Sequence, residues 1–283
     1  MNYLINGTSS IVGTSIAKFI IKKKNFIYCY YNKNKPKGLT SKYSTIQKNN
    51  FQDIYKTEKK IDCLIYCAID KTNNYNNQNL PFLKRVSVFA KIKHIKKIIY
   101  ISTMAVYGIQ EKVNIDEKTI PKKLSIYGKI KIQQERILQK FSKKNNCQVT
   151  VLRLPGVVGK KRTGIFLSEV LHKLKNNKVL KYKNPNAKFN NLIFENDLAK
   201  VVYAVSKNKK KYKFNIFNLG SSKPMLLNKV IKKIATKFNH NNKIYATKSD
   251  GKSFIVNIKK FERLFFKLST TSNSLLRFIL VNK

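Results

Sequence analysis

The first half of the chain alternates short apolar runs, typical of strands, with longer segments that have helical spacing. Residues 61–68 form an almost unbroken apolar run, as expected of a strand covered on both faces. The strand-like segments are residues 3–6, 26–31, 61–68, 97–101 and 148–154, and the helix-like segments are 14–20, 80–91 and 125–141. This order predicts an α/β fold with a doubly wound parallel sheet, in which ligands bind beyond the carboxyl ends of the strands.

The alternation becomes less regular in the second half of the chain. Residues 182–191 read as a loop, and strand-like and helix-like segments return near 192–205 and 214–219. We therefore expect residues 1–159 to form the sheet domain. Residues 160–283 are expected to form mainly a smaller substrate-binding lobe, with the two returning segments belonging to the sheet domain.

A glycine-containing turn between a strand and an amphipathic helix lies near the start of the chain. Glycine permits a tight turn, and the free amides at a helix start favour a phosphate. The spacing nearly matches the nucleotide-binding pattern G-x-x-G-x-x-G, although a serine stands at the middle position. Two glycines six apart also occur in ordinary turns. The phosphate site predicted here consists of Gly7, Thr8, Ser9, Ser10, Ile11, Val12 and Gly13.

A second group of polar residues follows the strand at 97–101. Ser102 and Thr103 fall at its carboxyl end, where a doubly wound sheet binds its ligand. Tyr127 and Lys131 are four residues apart in a helix-like segment, so their side chains share one face. A nearby ammonium favours the phenolate and lowers the pKa of a tyrosine. The hydroxyl, phenol and ammonium are the groups that proton-coupled hydride transfer at an alcohol carbon requires.

The tyrosine–lysine spacing is weak evidence by itself. With 15 tyrosines and an abundance of lysine, Y-x-x-x-K is expected about three times by chance. It occurs at Tyr31/Lys35, Tyr55/Lys59, Tyr127/Lys131 and Tyr203/Lys207. Only the third pair follows a polar strand end at a suitable distance, so its context carries the prediction.

The formal net charge of +46 raises the question of nucleic-acid binding. Only six of the 59 basic residues are arginine, and the lysines are spread along the chain together with abundant Asn, Ile, Tyr and Phe. An AT-rich genome gives this pattern. This composition argues against nucleic acid as the main partner, although the positive electrostatic field of such a chain attracts anionic ligands.

The sequence offers little support for a metal or a membrane. Cys63 and Cys67 lie in an apolar run without histidines at ligand spacing, and Cys29 and Cys147 read as core residues, so we expect no metal. No apolar run reaches the roughly 18 residues of a membrane span. Met1 leads directly into a strand-like segment instead of a signal peptide, so we expect a cytoplasmic protein.

In chain order, these segments resemble the extended short-chain dehydrogenase/reductase family, the NAD-dependent epimerase/dehydratase group that acts largely on nucleotide sugars. The matching motifs are the glycine turn, Gln52-Asp53-Ile54, Ser102 through Gly108, Asp116-Glu117, Tyr127 through Lys131, Leu152 through Gly159, Asn196 through Ala199 and Phe217 through Gly220. The resemblance covers nearly the whole chain. It implies a Rossmann-type dinucleotide-binding domain, NAD or NADP as cofactor, a nucleotide sugar as substrate, and a homodimer.

The resemblance also implies a role for each site residue. Tyr127 would be the catalytic acid and base, Lys131 would hold the nicotinamide ribose and depress the tyrosine pKa, and Thr103 would hydrogen-bond the reacting oxygen. The glycine turn would cradle the pyrophosphate. Other residues of the cofactor site would be Asn32, Lys33, Asp53, Ile54, Ala68 and Pro155. The implied activity is that of an epimerase or ketoreductase in which carbon C4 of the sugar loses a hydride to nicotinamide while its hydroxyl loses a proton to Tyr127.

Some positions depart from the family pattern. Met104 and Ala105 stand near the expected substrate where dehydratases carry an acidic pair, which argues against dehydration. Asn190 replaces an arginine of many nucleotide-sugar epimerases. A substrate diphosphate would then meet Lys160, Lys161 or Arg162, and the sequence does not select among them.

The sequence leaves alternatives for the cofactor, NAD or NADP, and for the class of function. At the end of the strand at 26–31, where an NAD-preferring fold commonly has an acidic residue, Asn32, Lys33 and Lys35 slightly favour NADP. A non-catalytic relative that senses a dinucleotide or binds RNA is a second hypothesis, because fold alone does not determine function. A third is an inactive structural homologue in a sugar-biosynthesis assembly.

Overall fold

A computed structural model describes residues 1–32, 34–48, 59–72, 78–111, 113–210, 212–248 and 254–283. Three predicted cofactor residues, Lys33, Asp53 and Ile54, lie outside the described residues. The strands are β1 (Asn2–Asn6), β2 (Phe26–Tyr31), β3 (Ser44–Lys48), β4 (Cys63–Tyr66), β5 (Lys97–Thr103), β6 (Asn114–Ile115), β7 (Gln148–Leu154), β8 (Gly156–Val158), β9 (Leu180–Lys183), β10 (Lys188–Phe189), β11 (Leu192–Phe194), β12 (Phe214–Asn218), β13 (Met225–Leu226), β14 (Ile244–Thr247) and β15 (Ile255–Val256).

The helices differ in length from six to 19 residues. They are α1 (Ile11–Lys22), α2 (Asn79–Ile92), α3 (Ile126–Lys144), α4 (Phe166–Lys175), α5 (Glu195–Lys207), α6 (Leu227–Lys237), α7 (Lys259–Leu264) and α8 (Thr271–Leu280), and a 3₁₀ helix spans Met104–Tyr107. Within the described parts of the chain, no helix is both long and apolar enough to cross a membrane.

Seven of the described strands form one sheet in the order β12-β7-β5-β4-β1-β2-β3. β1 pairs in parallel with β2 and β4, β2 with β3, and β4 with β5. Every residue of β4 is buried, which explains its continuous apolar sequence. The predicted doubly wound α/β fold is confirmed. The strand order reverses at β1, so the carboxyl ends of β1 and β4 border the crevice where such sheets bind ligands.

Serine caps begin the two helices that matter most for the site. Ser10 accepts a hydrogen bond from the Gly13 amide at the start of α1, and Ser125 accepts one from the Gly128 amide at the start of α3. Each cap satisfies one of the amides that a helix start leaves without an internal partner. The observed α3 agrees with the helix predicted over residues 125–141.

Backbone contacts divide the chain into two compact units. The first contains residues 1–108, 123–153 and 198–217, and the second contains 109–122, 154–197 and 218–283. Each unit has its own apolar core. In the first unit, side chains of the sheet pack with α2 and α3 in a cluster that includes Leu64, Phe89, Tyr100 and Leu138. In the second unit, α4, α6 and α8 pack around a cluster that includes Leu174, Val230 and Phe278.

The structure differs from the sequence expectations in three places. The N-terminal portion of the first unit ends at 153 instead of 159, and it excludes residues 109–122, which contact later parts of the chain, for example through the pairing of β6 with β15. Of the returning segments, residues 198–217 belong to the first unit, whereas residues 192–197 belong to the second, where β11 pairs with β8. Residues 182–191, expected to be a loop, include part of β9 and all of β10. The edge strand β3 is polar and had no strand-like signature.

Candidate active site

The glycine turn packs against the carboxyl end of β4. Gly7 has a φ of +90°, and a Cβ there would lie 2.7 Å from the Ala68 amide nitrogen. Only glycine fits this position, since an L side chain would meet both backbone strain and a backbone clash. The Thr8 amide and hydroxyl both donate to the Tyr30 carbonyl, at 3.0 and 2.9 Å. The turn is therefore anchored to β2 and β4.

Ser10, which replaces the middle glycine of the pattern, fits its position without strain. Its φ is −79°, and its hydroxyl donates to the Gly7 carbonyl at 2.9 Å and accepts from the Gly13 amide at 3.0 Å. Gly13 needs to be glycine, because a Cβ would lie 2.3 Å from the Gly7 carbonyl oxygen. The serine thus stabilises the compact turn from within.

A cavity of about 440 Å³ opens beside this turn. Five predicted cofactor residues line it: Gly7, Ser9, Ser10, Asn32 and Ala68. The other described residues that were predicted for the catalytic and cofactor sites do not line it: Thr8, Ile11, Val12, Gly13, Thr103, Tyr127, Lys131 and Pro155. Lys35 is exposed and also absent from the lining. The cavity is also lined by residues that no sequence motif had indicated as part of a site. They include Asn6, Tyr66, Asn79, Phe82 and Arg85. A turn that excludes side chains at two positions, next to a cavity, fits the diphosphate and adenosine of a dinucleotide.

Lys131 is buried on α3 next to the end of β5. Its ammonium donates to the Ile101 carbonyl at 2.9 Å and lies 4.7 Å from the centroid of the Tyr100 ring. Burial lowers the pKa of Lys131 to about 8. The ammonium is also close enough to lower the pKa of the Cys67 thiol, which burial raises, and Cys67 lines the cavity. The charge of Lys131 thus acts on a residue of the cavity wall, although Lys131 itself does not line the cavity.

Tyr127 and Thr103 lie where α3 meets the end of β5. Tyr127 is half-buried in the first turn of α3, and a Cβ on the next residue, Gly128, would lie 2.4 Å from the Ala105 carbonyl oxygen. Thr103 caps the 3₁₀ helix, where its hydroxyl oxygen accepts from the Ala105 amide at 3.2 Å. Gly128 thus allows the helix that carries Tyr127 to touch the segment that follows Thr103.

A buried ionic network supports this arrangement. Glu135 of α3 accepts hydrogen bonds from Ser102 at 2.5 Å and from two nitrogens of Arg153 at 2.7 and 3.2 Å. Arg153 also donates to the Tyr107 hydroxyl at 2.8 Å. Burial lowers the pKa of Arg153, but the hydrogen bonds and charge of Glu135 outweigh burial and raise it. The network joins β5, the 3₁₀ helix, α3 and β7, and its pairing had no signal in the sequence.

The residues considered for the substrate have different environments. Met104 is buried and Ala105 half-buried in the first unit. In the second unit, Lys160 and Lys161 are exposed, Arg162 is half-buried, and Pro155 is buried between β7 and β8. No group of three or more His, Cys, Asp or Glu side chains suited to a metal occurs in the described parts of the chain.

Asn190, which stands where many nucleotide-sugar epimerases have an arginine, is hydrogen-bonded to backbone groups of the protein. Its side-chain nitrogen donates to the carbonyls of Val256 and Ser221, at 2.9 and 3.2 Å, and its oxygen accepts from the Val256 amide at 3.0 Å. Only 2% of the residue is exposed. It links segments of the second unit, and its hydrogen bonds are used within the protein.

One known protein family matches most of the chain. A model of the NAD dependent epimerase/dehydratase family matches residues 3–220. The chain belongs to this family. The match spans the glycine turn and the segments that carry Thr103, Tyr127 and Lys131, so the family resemblance seen in the sequence is confirmed.

Solved structures and named relatives agree with this membership. The structure of the UDP-glucuronic acid 4-epimerase from Bacillus cereus in complex with NAD has a TM-score of 0.85, 18% identity and complete coverage of both chains. The UDP-glucose 4-epimerase of Lactobacillus helveticus is 22% identical over 58% of this chain and 54% of its own.

A shorter and closer match comes from Arabidopsis thaliana. A relative that carries the name UDP-arabinose 4-epimerase 4 is 38% identical over 85 residues, which are 30% of this chain and 19% of the relative. The chain thus matches about a fifth of that relative's length. At these identities and coverages, the solved structure supports the fold, the family model carries the family, and the activity of this chain is a separate question.

Proposed function

We propose that the chain is an NAD(P)-dependent epimerase or ketoreductase acting on a nucleotide sugar. The observation that carries this proposal is the position of Lys131. Its ammonium is buried near the end of β5, where it donates to the Ile101 carbonyl at 2.9 Å, and Lys131 lies one helical turn after Tyr127 on α3. This arrangement supports a proton-transfer pair near the end of β5, in a chain of the epimerase/dehydratase family whose first unit also holds a cavity suited to a dinucleotide.

Each residue of the proposed site would have its own chemical role. The Tyr127 phenolate would take the proton of a sugar hydroxyl, and the positive charge of Lys131 would favour that phenolate. The Thr103 hydroxyl accepts from the Ala105 amide, so its own hydrogen can be donated to the reacting sugar oxygen. A bound nicotinamide would supply the hydride acceptor. Met104 and Ala105 offer no acid to remove a hydroxyl, so we propose that no dehydration follows.

Replacing Tyr127 tests this proposal. We expect Tyr127→Phe to lower turnover of a UDP-sugar panel at least about 100-fold, the usual minimum for losing a general acid and base. NADH binding should persist, because the ring stays in place. Tyr203→Phe is the matched control, since Tyr203 and Lys207 have the same spacing but belong to α5. The panel is UDP-glucose, UDP-galactose, UDP-glucuronic acid and UDP-N-acetylglucosamine, each followed by chromatography of the product sugar.

Undiminished turnover in Tyr127→Phe would refute the proposed chemistry. The same protein samples test the non-catalytic alternative. Binding of RNA that weakens steeply with salt, in the absence of dinucleotide binding, would support that alternative.

The cofactor and the outcome of the reaction are further parts of the proposal. Asn32 lines the cavity at the end of β2 without an acidic charge, which slightly favours NADP. Parallel titrations with NADH and NADPH distinguish the two. A tightly retained NAD, detected by mass spectrometry of the purified protein, would favour epimerisation, whereas exchange of NADPH would favour net reduction. A homodimer, proposed by family resemblance, is tested by light scattering.

A further inference from the structure

Asn6 ends β1 and directly precedes the glycine turn. Its side chain is 2% exposed and lines the cavity. Its side-chain nitrogen, Nδ2, has no hydrogen-bond partner among the residues that the structure describes. Buried donors in proteins are normally hydrogen-bonded, so a donor that lines a cavity without a protein partner is available to a ligand in that cavity.

Asn190 shows what a buried asparagine with a structural role looks like in this chain. It has the same 2% exposure, yet both polar atoms of its side chain bond to backbone groups of Ser221 and Val256. Asn6 makes no such link through its amide nitrogen. The contrast indicates that the Asn6 amide serves a partner outside the protein.

The turn next to Asn6 has already used several of its donors. The amides of Gly7 and Thr8 donate to the Tyr30 carbonyl, at 3.0 Å each, and the Ser10 amide donates to the Gly7 carbonyl at 3.3 Å. The Gly13 amide donates to the Ser10 hydroxyl at 3.0 Å. Because phosphates are bound at such turns by free N–H groups, these internal bonds reduce what the backbone can offer. A side-chain donor at the edge of the turn would compensate.

We infer that the Asn6 amide nitrogen donates a hydrogen bond to an oxygen of the diphosphate bridge of the bound dinucleotide. The inference rests on the proposed function, since it requires a dinucleotide in the cavity. Asn6 has this position because it adjoins Gly7, the first residue of the turn. Because β1 and the turn hold Asn6 in place, the ligand gains its donor as a prearranged contact.

Titration of the full chain with NADH and ADP-ribose tests this contact, using Asn6→Val to remove the donor while keeping a strand-compatible side chain. A hydrogen bond to a charged group predicts a dissociation constant about tenfold to a hundredfold higher in the variant. The thermal midpoint of the ligand-free variant should be no lower than that of the unmodified protein, because the Asn6 side-chain nitrogen has no hydrogen bond to the described protein that the substitution could remove. AMP, which lacks the diphosphate bridge, should bind both proteins equally.

Asn228→Leu is the matched control. The Asn228 side-chain oxygen is also buried without a partner in the described structure, but the residue lies on α6 and does not line the cavity. Its dissociation constants should equal those of the unmodified protein.

Three results would overturn the inference. The first is an unchanged NADH affinity in Asn6→Val, and the second is an equal loss for AMP. The third is a lower thermal midpoint or failure to fold, which would assign Asn6 a structural role. If the unmodified chain binds neither NADH nor NADPH, the proposed function itself fails, so the two failures are distinguishable.

Discussion

Lys131 is a single residue with a predicted effect on pH dependence, because its ammonium is buried between the Ile101 carbonyl and the Tyr100 ring. Its pKa of about 8 in the folded protein compares with about 10.4 for a free lysine. Well below pH 8, Lys131 is protonated in both the folded and the unfolded state. The difference between its two pKa values means that burying the charge costs about 3 kcal/mol there. Between the two pKa values the folded state binds fewer protons, so stability rises with pH.

Lys131→Met tests this cost by removing the charge at constant length. The variant should be more stable than the unmodified protein by up to about 3 kcal/mol at pH 7, and this advantage should shrink as the pH rises from about 8 to 10. Urea unfolding at several pH values measures it. Lys129→Met, at an exposed position of the same helix, should show no such trend. An advantage that is constant with pH would contradict the buried ammonium.

At the scale of elements, the contact between α3 and the end of β5 depends on Gly128. Alanine in a helix normally gains up to about 1 kcal/mol over glycine. Here the added Cβ would meet the Ala105 carbonyl oxygen at 2.4 Å, and backbone cannot yield as a flexible side chain can. We expect Gly128→Ala to lose about 1–3 kcal/mol on balance and to lower turnover, because the first turn of α3 and Tyr127 must shift.

Lys129→Ala is the control for this effect, since it changes an exposed neighbour in the same turn. Chemical unfolding and a UDP-sugar assay should both be close to those of the unmodified protein. A Gly128→Ala protein that is more stable than the original would show that the contact is looser than the structure indicates.

Elements with strong apolar runs could be predicted from the sequence, and elements that depend on distant partners could not. β2 and β7 have the predicted bounds, and the prediction that Thr103 ends a strand holds for β5. β3 escaped prediction because an edge strand needs little apolar character. The pairing of Glu135 with Arg153, 18 residues apart in sequence and on different elements, depends on tertiary structure. So do the hydrogen bonds of Asn190, to a residue 66 positions away.

At the scale of the whole molecule, the predicted family and fold class are confirmed, whereas the boundary of the units depends on long-range contacts of residues 109–122. A property that the sequence does determine directly is the net charge of +46. With 13 acidic residues against 59 basic ones, most cations have no opposite charge to pair with. Mutual repulsion of these cations opposes the compact state, and dissolved salt screens it.

We therefore expect the thermal midpoint to rise as NaCl increases from about 0.01 M to about 0.15 M, where the screening length falls from about 30 to 8 Å. The rise should level off near about 0.3 M, because further screening changes the repulsion little. A non-electrostatic salt effect would instead continue to grow with concentration. Differential scanning fluorimetry across this series measures both features. A midpoint that stays constant below about 0.15 M would mean that repulsion among the lysines contributes little to the stability of the fold.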